Sequence, residues 1–207
     1  MKRAVIGQSL TVGWAELFYF ISFGVMFAAK GVGLDEGQKL FTLCTLASLV
    51  CLAGKLCLTR HSLKEWLVMA LLAGLGLLIW KNSGENAAFA AMLVIIGMKR
   101  ISIRRLFSVC LGIWSLTFAL SLTLGILHIR EGVVVVHQKL GLGPIIRWSL
   151  GYTHPNVLHV SYFILAALLL YVCDWHGKKL WKACAALFFG NLVVFLFSIS
   201  YTGVLLV

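Results

Sequence analysis

Residues 106–127 read LFSVCLGIWSLTFALSLTLGIL and contain no charged side chain. As an α-helix, a run of this length covers about 33 Å, enough to cross a bilayer core of about 30 Å. Within lipid, each backbone N–H and C=O group needs a hydrogen-bond partner inside its own segment, which favours a helix. The run therefore predicts one transmembrane helix.

Apolar blocks of similar length recur along the 207-residue chain, which is 61% hydrophobic and only 12% charged. A soluble domain carries about twice that charged fraction. We therefore predict an all-α polytopic membrane protein of about seven transmembrane helices, with residues 1–207 forming a single helical domain in the lipid bilayer. The predicted spans cover residues 8–29, 40–58, 63–80, 86–98, 106–127, 157–173 and 183–201.

The basic side chains are divided unevenly between the connections of these spans. With the N-terminus in the cytoplasm, the inner segments carry eleven Lys and Arg residues and the outer segments carry six. The positive-inside rule then favours a cytoplasmic N-terminus, and KRISIRR at residues 99–105 is the strongest single contribution. Because these basic residues lie in short loops between apolar blocks, the net charge of +11 does not indicate a nucleic-acid partner.

Few residues within the spans suggest chemistry. The six cysteines form no CxxC pair and no zinc-finger spacing, so we interpret them as small apolar side chains and expect no metal. Glu16 and Lys55 are charged residues inside predicted spans. An ion pair between them and independent snorkelling of Lys55 to the membrane surface are both open at this stage.

The only long connection is residues 128–156, which the predicted topology places on the outer face. It contains three histidines, both prolines and the glycine-rich stretch LGLGP. Long loops in compact proteins usually carry function, so we expect the site here. Pro144 suits the start of a short interfacial helix with Trp148 at headgroup depth. His154 precedes Pro155 and is therefore expected at the N-cap of the sixth span.

The run GPIIRWSLGYTHPNVLH at residues 143–159 predicts a substrate site for phosphate or diphosphate. It combines the guanidinium of Arg147, the N-terminus of the sixth helix, the amide of Asn156, and the imidazoles of His154 and His159. A helix N-terminus and an arginine fork both suit phosphate oxygens. The alternative is a structural re-entrant loop, in which Arg147 snorkels to headgroups and His154 is only a cap. A metal site at His154 and His159 is disfavoured, because their spacing is poor and no carboxylate or thiolate lies nearby.

The decapeptide RWSLGYTHPN resembles the R-x-S-L-G-F-x-H-P-N stretch of Wzy-type polysaccharide polymerases of Gram-positive bacteria, which are related to the O-antigen polymerases and ligases. Tyr152 replaces the usual phenylalanine. The final FSISYTGVLLV is similar to that family's T-x-S-R-T-G helix ending, with Tyr201 in place of an arginine. The matching residues are Arg147, Ser149, Leu150, Gly151, His154, Pro155 and Asn156, followed by Ser200, Thr202 and Gly203.

This resemblance implies a glycosyltransferase that joins undecaprenyl-diphosphate-linked repeat units at the outer face of the bacterial plasma membrane, for exopolysaccharide or capsule synthesis. It implies that Arg147 grips the diphosphate of the lipid-linked donor, while His154 and Asn156 shape that end of the site. It implies no metal and no cofactor, and no catalytic base can be assigned. Members of the family are longer, so the chain is expected to correspond to their N-terminal half, which need not be active alone.

Two other functions are compatible with the sequence. One is a non-catalytic membrane protein, either a transporter fragment or a scaffold that binds other polysaccharide-export proteins. The other is a different membrane enzyme that acts on lipid-linked substrates, such as a ligase, or a membrane protease. A protease would need a Cys or Ser nucleophile on the same side as a histidine; Cys173 and His176 are close in sequence, but they fall at the predicted cytoplasmic end.

Overall fold

The computed structural model describes residues 13–34, 36–130, 132–139 and 143–201, which form seven α-helices and one β-hairpin. In chain order, the elements are α1 (Trp14–Gly31), α2 (Lys39–Leu58), α3 (Leu63–Ser83), α4 (Ala87–Gly97), α5 (Ile103–Ile126), β1 (Val134–Lys139), β2 (Gly143–Trp148), α6 (Pro155–Cys173) and α7 (Gly177–Ser198). They belong to two compact units. Of the described residues, the first unit comprises those up to Phe23 and Leu46–Ile101, and the second comprises Gly24–Thr45 and those from Ser102 onward.

The seven helices confirm the predicted all-α polytopic architecture. In the described part of the chain, five of them are long and apolar enough to cross a membrane, namely α2, α3, α5, α6 and α7. The fourth helix, α4, is apolar but has only 11 residues, which cover about 17 Å. Residues 8–12 of the first predicted span lie outside the described residues.

The ends of α3 follow from its sequence. The hydroxyl of Ser62 accepts a hydrogen bond from the backbone N–H of Glu65, and the Glu65 carboxylate accepts one from the backbone N–H of Ser62. This capping box satisfies two N–H groups that the first turn would otherwise leave unpaired. The helix ends at Gly84, where φ is 75°, a conformation that favours glycine.

In the first unit, close backbone approach depends on small residues. A side chain at Gly97 would collide with Tyr19 and Leu52. The hydroxyls of Ser22 and Ser48 each donate to the other residue's carbonyl oxygen at 2.8 Å, which joins α1 to α2. Small residues and short hydroxyls of this kind let helices pack closely in a membrane.

Lys55 bonds to the backbone just after α4. Its side chain is completely buried, and Nζ donates to the carbonyl oxygen of Lys99 at 3.0 Å. The carbonyl lies just beyond the end of α4, where unpaired C=O groups attract a cation. Lys55 thus joins α2 to the segment that follows α4.

In the second unit, α5, α6 and α7 pack around aromatic side chains. The indole N–H of Trp114 donates to the carbonyl oxygen of Ser161 at 2.9 Å, and the Tyr162 hydroxyl donates to that of Leu187 at 2.7 Å. The buried apolar cluster comprises Phe118, Leu150, Tyr152, Leu158 and Tyr162. These contacts hold the start of α6 next to the chain that follows β2.

The segment predicted as a short interfacial helix is a β-strand, so that prediction is wrong. Residues 143–148 pair antiparallel with residues 134–139, and Val136 faces Ile146. The physical reason is the run of β-branched residues at 133–136 and again at 145–146, which prefer a pleated strand to a helix. Pro144 is tolerated because it lies near the first residue of a strand with a free edge.

Candidate functional site

The alternation of side chains along β2 turns Arg147 toward the protein. Successive residues of a strand point to opposite faces. Ile146 is 67% exposed and Trp148 is 38% exposed, whereas Arg147 is only 6% exposed and the following Ser149 is fully buried. The hairpin therefore presents an apolar face outward and its arginine inward, the reverse of a soluble hairpin.

The guanidinium of Arg147 connects three elements. Its Nε donates to the carbonyl oxygen of Ser198, the last residue of α7, at 2.6 Å. Its Nη2 donates to the side-chain oxygen of Asn156, in the first turn of α6. Both acceptors are uncharged, and within the described ranges no carboxylate pairs with Arg147. The site is thus a buried cation held by neutral oxygens.

His154 is the N-cap of α6, as predicted. Its Nδ1 accepts a hydrogen bond from the backbone N–H of Asn156 at 3.1 Å, and Pro155 occupies the first helical position. The N–H of Val157 is bonded to the His154 carbonyl oxygen at 3.0 Å. Because these two groups are already paired and Pro155 has no N–H, the helix N-terminus offers no free backbone donors. Anion binding at this helix end stays a prediction, and in this arrangement Arg147 is the group that would supply the donors.

His159 lies deeper than expected and does not face the loop. It is 1% exposed, with Nδ1 at 2.9 Å from the Ser198 hydroxyl and Nε2 hydrogen-bonded to the side-chain oxygen of Asn191. Arg147 and His159 thus bind the same residue, one through its backbone carbonyl and the other through its hydroxyl. His159 contributes to the site by fixing the end of α7.

Asn191 and Ser198 belong to this polar network, although the sequence analysis did not identify them. Asn191 had a signal in the sequence, since it is a lone amide within the apolar run LFFGNLVVF of the last predicted span. Ser149 accepts a hydrogen bond from the backbone N–H of Val133 at 2.8 Å and so closes the hairpin. The resemblance motif includes Ser149, whereas nothing in the sequence marks Ser198 among the many serines.

A sharp turn after β2 brings the chain against α5. Leu150 and Gly151 both have positive φ, of 45° and 84°. Gly125 of α5 lies against the backbone of Leu150 and Gly151, where a β-carbon would collide. Tyr152 follows and is 3% exposed, and this burial raises the pKa of its phenol. The SLGY segment is therefore a packing element that fixes the position of Arg147 on one side and His154 on the other.

The resemblance motifs meet in this region. Arg147 begins the RWSLGYTHPN stretch, and Ser198 belongs to FSISYTG, about fifty positions later in the chain. Tyr201 is 49% exposed and its ring packs near Phe195. Thr202 and Gly203 lie outside the described residues. The described residues contain no group of three or more His, Cys, Asp or Glu side chains arranged to hold a metal ion.

Comparison with known proteins identifies no relative of this chain. No protein-family model, no curated protein and no solved structure matches it. The functional argument therefore depends on the chemistry of this site.

Proposed function

We propose that this chain is a membrane component of a polysaccharide polymerase, a glycosyltransferase that joins undecaprenyl-diphosphate-linked repeat units at the outer face of a bacterial plasma membrane. Arg147 binds the diphosphate of the lipid-linked donor, and Asn156 orients its guanidinium. His154 and His159 hold the two helix ends between which that guanidinium lies. The product is an exopolysaccharide or capsule chain.

The observation that carries this proposal is the buried charge of Arg147, which no carboxylate among the described residues balances. A buried cation normally pairs with a carboxylate, because desolvation of an isolated charge is costly. Arg147 is 6% exposed, and its two hydrogen bonds go to a carbonyl oxygen and an amide oxygen. A diphosphate would supply the missing negative charge, and a planar guanidinium can bind two of its oxygens at once.

The meeting of the two resemblance motifs gives separate support. Two stretches far apart in sequence are each similar to the same polymerase family, and one hydrogen bond of 2.6 Å between Arg147 and Ser198 links them. A substrate site assembled from both stretches requires this proximity. Two chance similarities would give no reason for the stretches to lie in contact.

One observation favours a second function, a non-catalytic membrane scaffold. Ser198 ends α7, and the C-terminal carbonyls of a helix carry partial negative charge that stabilises a nearby cation. In that case the role of Arg147 is to fix α7 against the hairpin, and no anionic substrate is involved. The two functions predict different responses to a lysine at position 147.

Deletion of the gene in its native host, followed by complementation with variants, tests the proposal. Polymer is measured on gels and lipid-linked repeat units by mass spectrometry. Both Arg147→Ala and Arg147→Lys are expected to lose polymer and accumulate unpolymerised lipid-linked units. Lysine keeps the charge but lacks the planar pair of N–H donors that a guanidinium presents to two phosphate oxygens. Loss of a hydrogen bond to a charged group costs about 1.5–3 kcal/mol, so polymerisation should slow by about 10-fold to 150-fold.

Arg130→Lys is the matched control. Arg130 also donates to a backbone carbonyl oxygen, that of Val32 at 2.7 Å, but lies outside RWSLGYTHPN. Its lysine variant should keep normal polymer, and immunoblots should show equal abundance for all variants. If Arg147→Lys keeps normal polymer, the diphosphate role is wrong and Arg147 is a structural support. If deletion changes neither polymer nor lipid-linked units, the polymerase proposal itself is wrong.

A further inference from the structure

A groove of about 330 Å³ lies in the first unit, between the start of α3 and the end of α4. Its walls are apolar and include Val68, Leu72 and Ile95. Its rim is polar and includes His61, Lys64 and Lys99. The volume is at the lower end of the range of small-molecule sites. The groove thus combines a hydrocarbon interior with a basic mouth.

The charged residues at the mouth are net positive. Lys99 donates from Nζ to the Glu65 carboxylate at 2.7 Å and to the Arg60 carbonyl oxygen at 2.8 Å. The buried Lys55 adds a second cation behind the Lys99 carbonyl, and Lys64 adds an exposed third. Glu65 is the one carboxylate that lines the groove. A net positive rim of this kind suits an anion.

His61 also indicates that the groove suits an anion. Both of its ring nitrogens are shielded from water and have no hydrogen-bond partner among the described residues, although one of them must carry a proton. A buried polar group without a partner costs free energy, and such groups usually belong to a site that a ligand or water completes. Burial and the charges of Lys99 and Lys55 lower the pKa of His61, with Glu65 acting in the opposite direction. An anion would both accept a hydrogen bond from the imidazole and offset those charges.

We infer that this groove binds one anionic glycerophospholipid, with its phosphodiester between His61 and Lys64 and an acyl chain along Val68, Leu72 and Ile95. The positive rim selects the headgroup, and the apolar walls distinguish a lipid from a free phosphate ion. Trp66, with its ring 5.4 Å from that of His61, places this end of α3 at the depth where aromatic residues favour the membrane interface. The site is independent of the Arg147 cluster and of the polymerase proposal.

Photocrosslinking tests this inference directly. The purified chain is reconstituted in phosphatidylcholine vesicles that contain a trace of phosphatidylglycerol or phosphatidylcholine with the same diazirine-bearing acyl chain. Labelled peptides are identified by mass spectrometry. Peptides that contain residues 61–72 and 95–99 should react preferentially with the phosphatidylglycerol probe, by about fivefold for each cation that contacts the phosphate. Equal labelling by the two probes would overturn the inference.

Two matched pairs of variants separate the headgroup from the chain. His61→Gln with Lys64→Gln should bring the labelling ratio close to one, whereas Lys81→Gln, at the opposite end of α3, should leave it unchanged. Val68→Trp should fill the groove and reduce labelling by the phosphatidylglycerol probe, whereas the neighbouring Leu67→Trp should not, because Leu67 does not line the groove. Circular dichroism and size-exclusion chromatography establish that each variant is folded.

Excess inorganic phosphate, compared with sodium chloride at equal ionic strength, distinguishes the two sources of phosphate. A lipid held by its chain should remain bound in phosphate as it does in chloride. If phosphate alone removes the preference, the groove takes free anions and the lipid assignment is wrong. If Val68→Trp and Leu67→Trp reduce labelling equally, the groove is not the place where the chain binds.

Discussion

At the scale of single residues, the chemistry of the second unit depends on which polar groups are paired inside an apolar bundle. Arg147, His159 and Asn191 are all buried, and each has hydrogen bonds to neutral groups. Ser198 joins them, because its carbonyl oxygen and its hydroxyl serve different partners. In a low-dielectric environment such a network is stabilising only while every member keeps its partner.

The replacement Asn191→Leu should therefore destabilise the protein more than the small change in side-chain volume would suggest. It leaves Nε2 of His159 buried without an acceptor or donor, which costs about 1–3 kcal/mol in the free energy of unfolding. His159→Leu should cost a similar amount. The double variant should cost clearly less than the two together, because neither polar group is then left alone. Leu192→Ala is the control on the same helix, since Leu192 is partly exposed and makes no polar contact.

Thermal unfolding in a fixed detergent, monitored by circular dichroism, measures all four variants. Additive effects of Asn191→Leu and His159→Leu would contradict the network. The outcome bears on function too, because His159 fixes the residue that Arg147 binds.

At the scale of elements, glycines let the turn that follows β2 pack closely on α5. Gly125 and Gly151 let the two backbones meet, and Gly151 has a φ of 84°. Gly112, on the same helix, has nothing within 4 Å of where a β-carbon would lie. The chain thus contains a glycine that packing requires and another that packing does not.

Alanine substitutions at these two glycines should have opposite effects. Gly112→Ala should raise the free energy of unfolding by about 0.5–1 kcal/mol, because alanine is a better helix former than glycine. Gly125→Ala should lower it, because the new methyl group collides with the backbone of Leu150 and Gly151. Limited proteolysis of residues 128–154 should accelerate in Gly125→Ala only. Equal proteolysis in the two variants would show that the hairpin does not depend on this contact.

The helices were predictable because each one satisfies a local rule. Block length gave seven helices, and His154-Pro155 gave the start of α6. The hairpin was missed because Pro144 suits both a helix start and a strand start. Its partner strand lies on the far side of the glycine-rich stretch LGLGP, and a local pattern does not show which segments pair. His159 was assigned to the site surface because helical periodicity places it on the same face as Asn156. Periodicity does not show which element packs against that face. Only tertiary contacts with α7 decide that.

At the scale of the whole molecule, α4 decides on which side of the membrane each later connection lies. Its 11 residues cover about 17 Å, well short of a bilayer core of about 30 Å. If α4 crosses, KRISIRR and residues 128–156 lie on opposite sides of the membrane, with the basic run inside. If α4 does not cross, residues 84–86 and KRISIRR share the outer face and the basic run contradicts the positive-inside rule.

We expect α4 to cross, because four basic residues at 99–105 favour the cytoplasm more strongly than a short span can oppose. Single cysteines at Glu85, Ile103 and Thr153, in a background without the six native cysteines, test this with a membrane-impermeant maleimide. None of the three replacements removes a basic residue. In intact cells Glu85→Cys and Thr153→Cys should react, and Ile103→Cys should react only after permeabilisation. Reaction of Thr153→Cys only after permeabilisation would place the Arg147 site at the cytoplasmic face, where a polymerase of outer-face substrates cannot work.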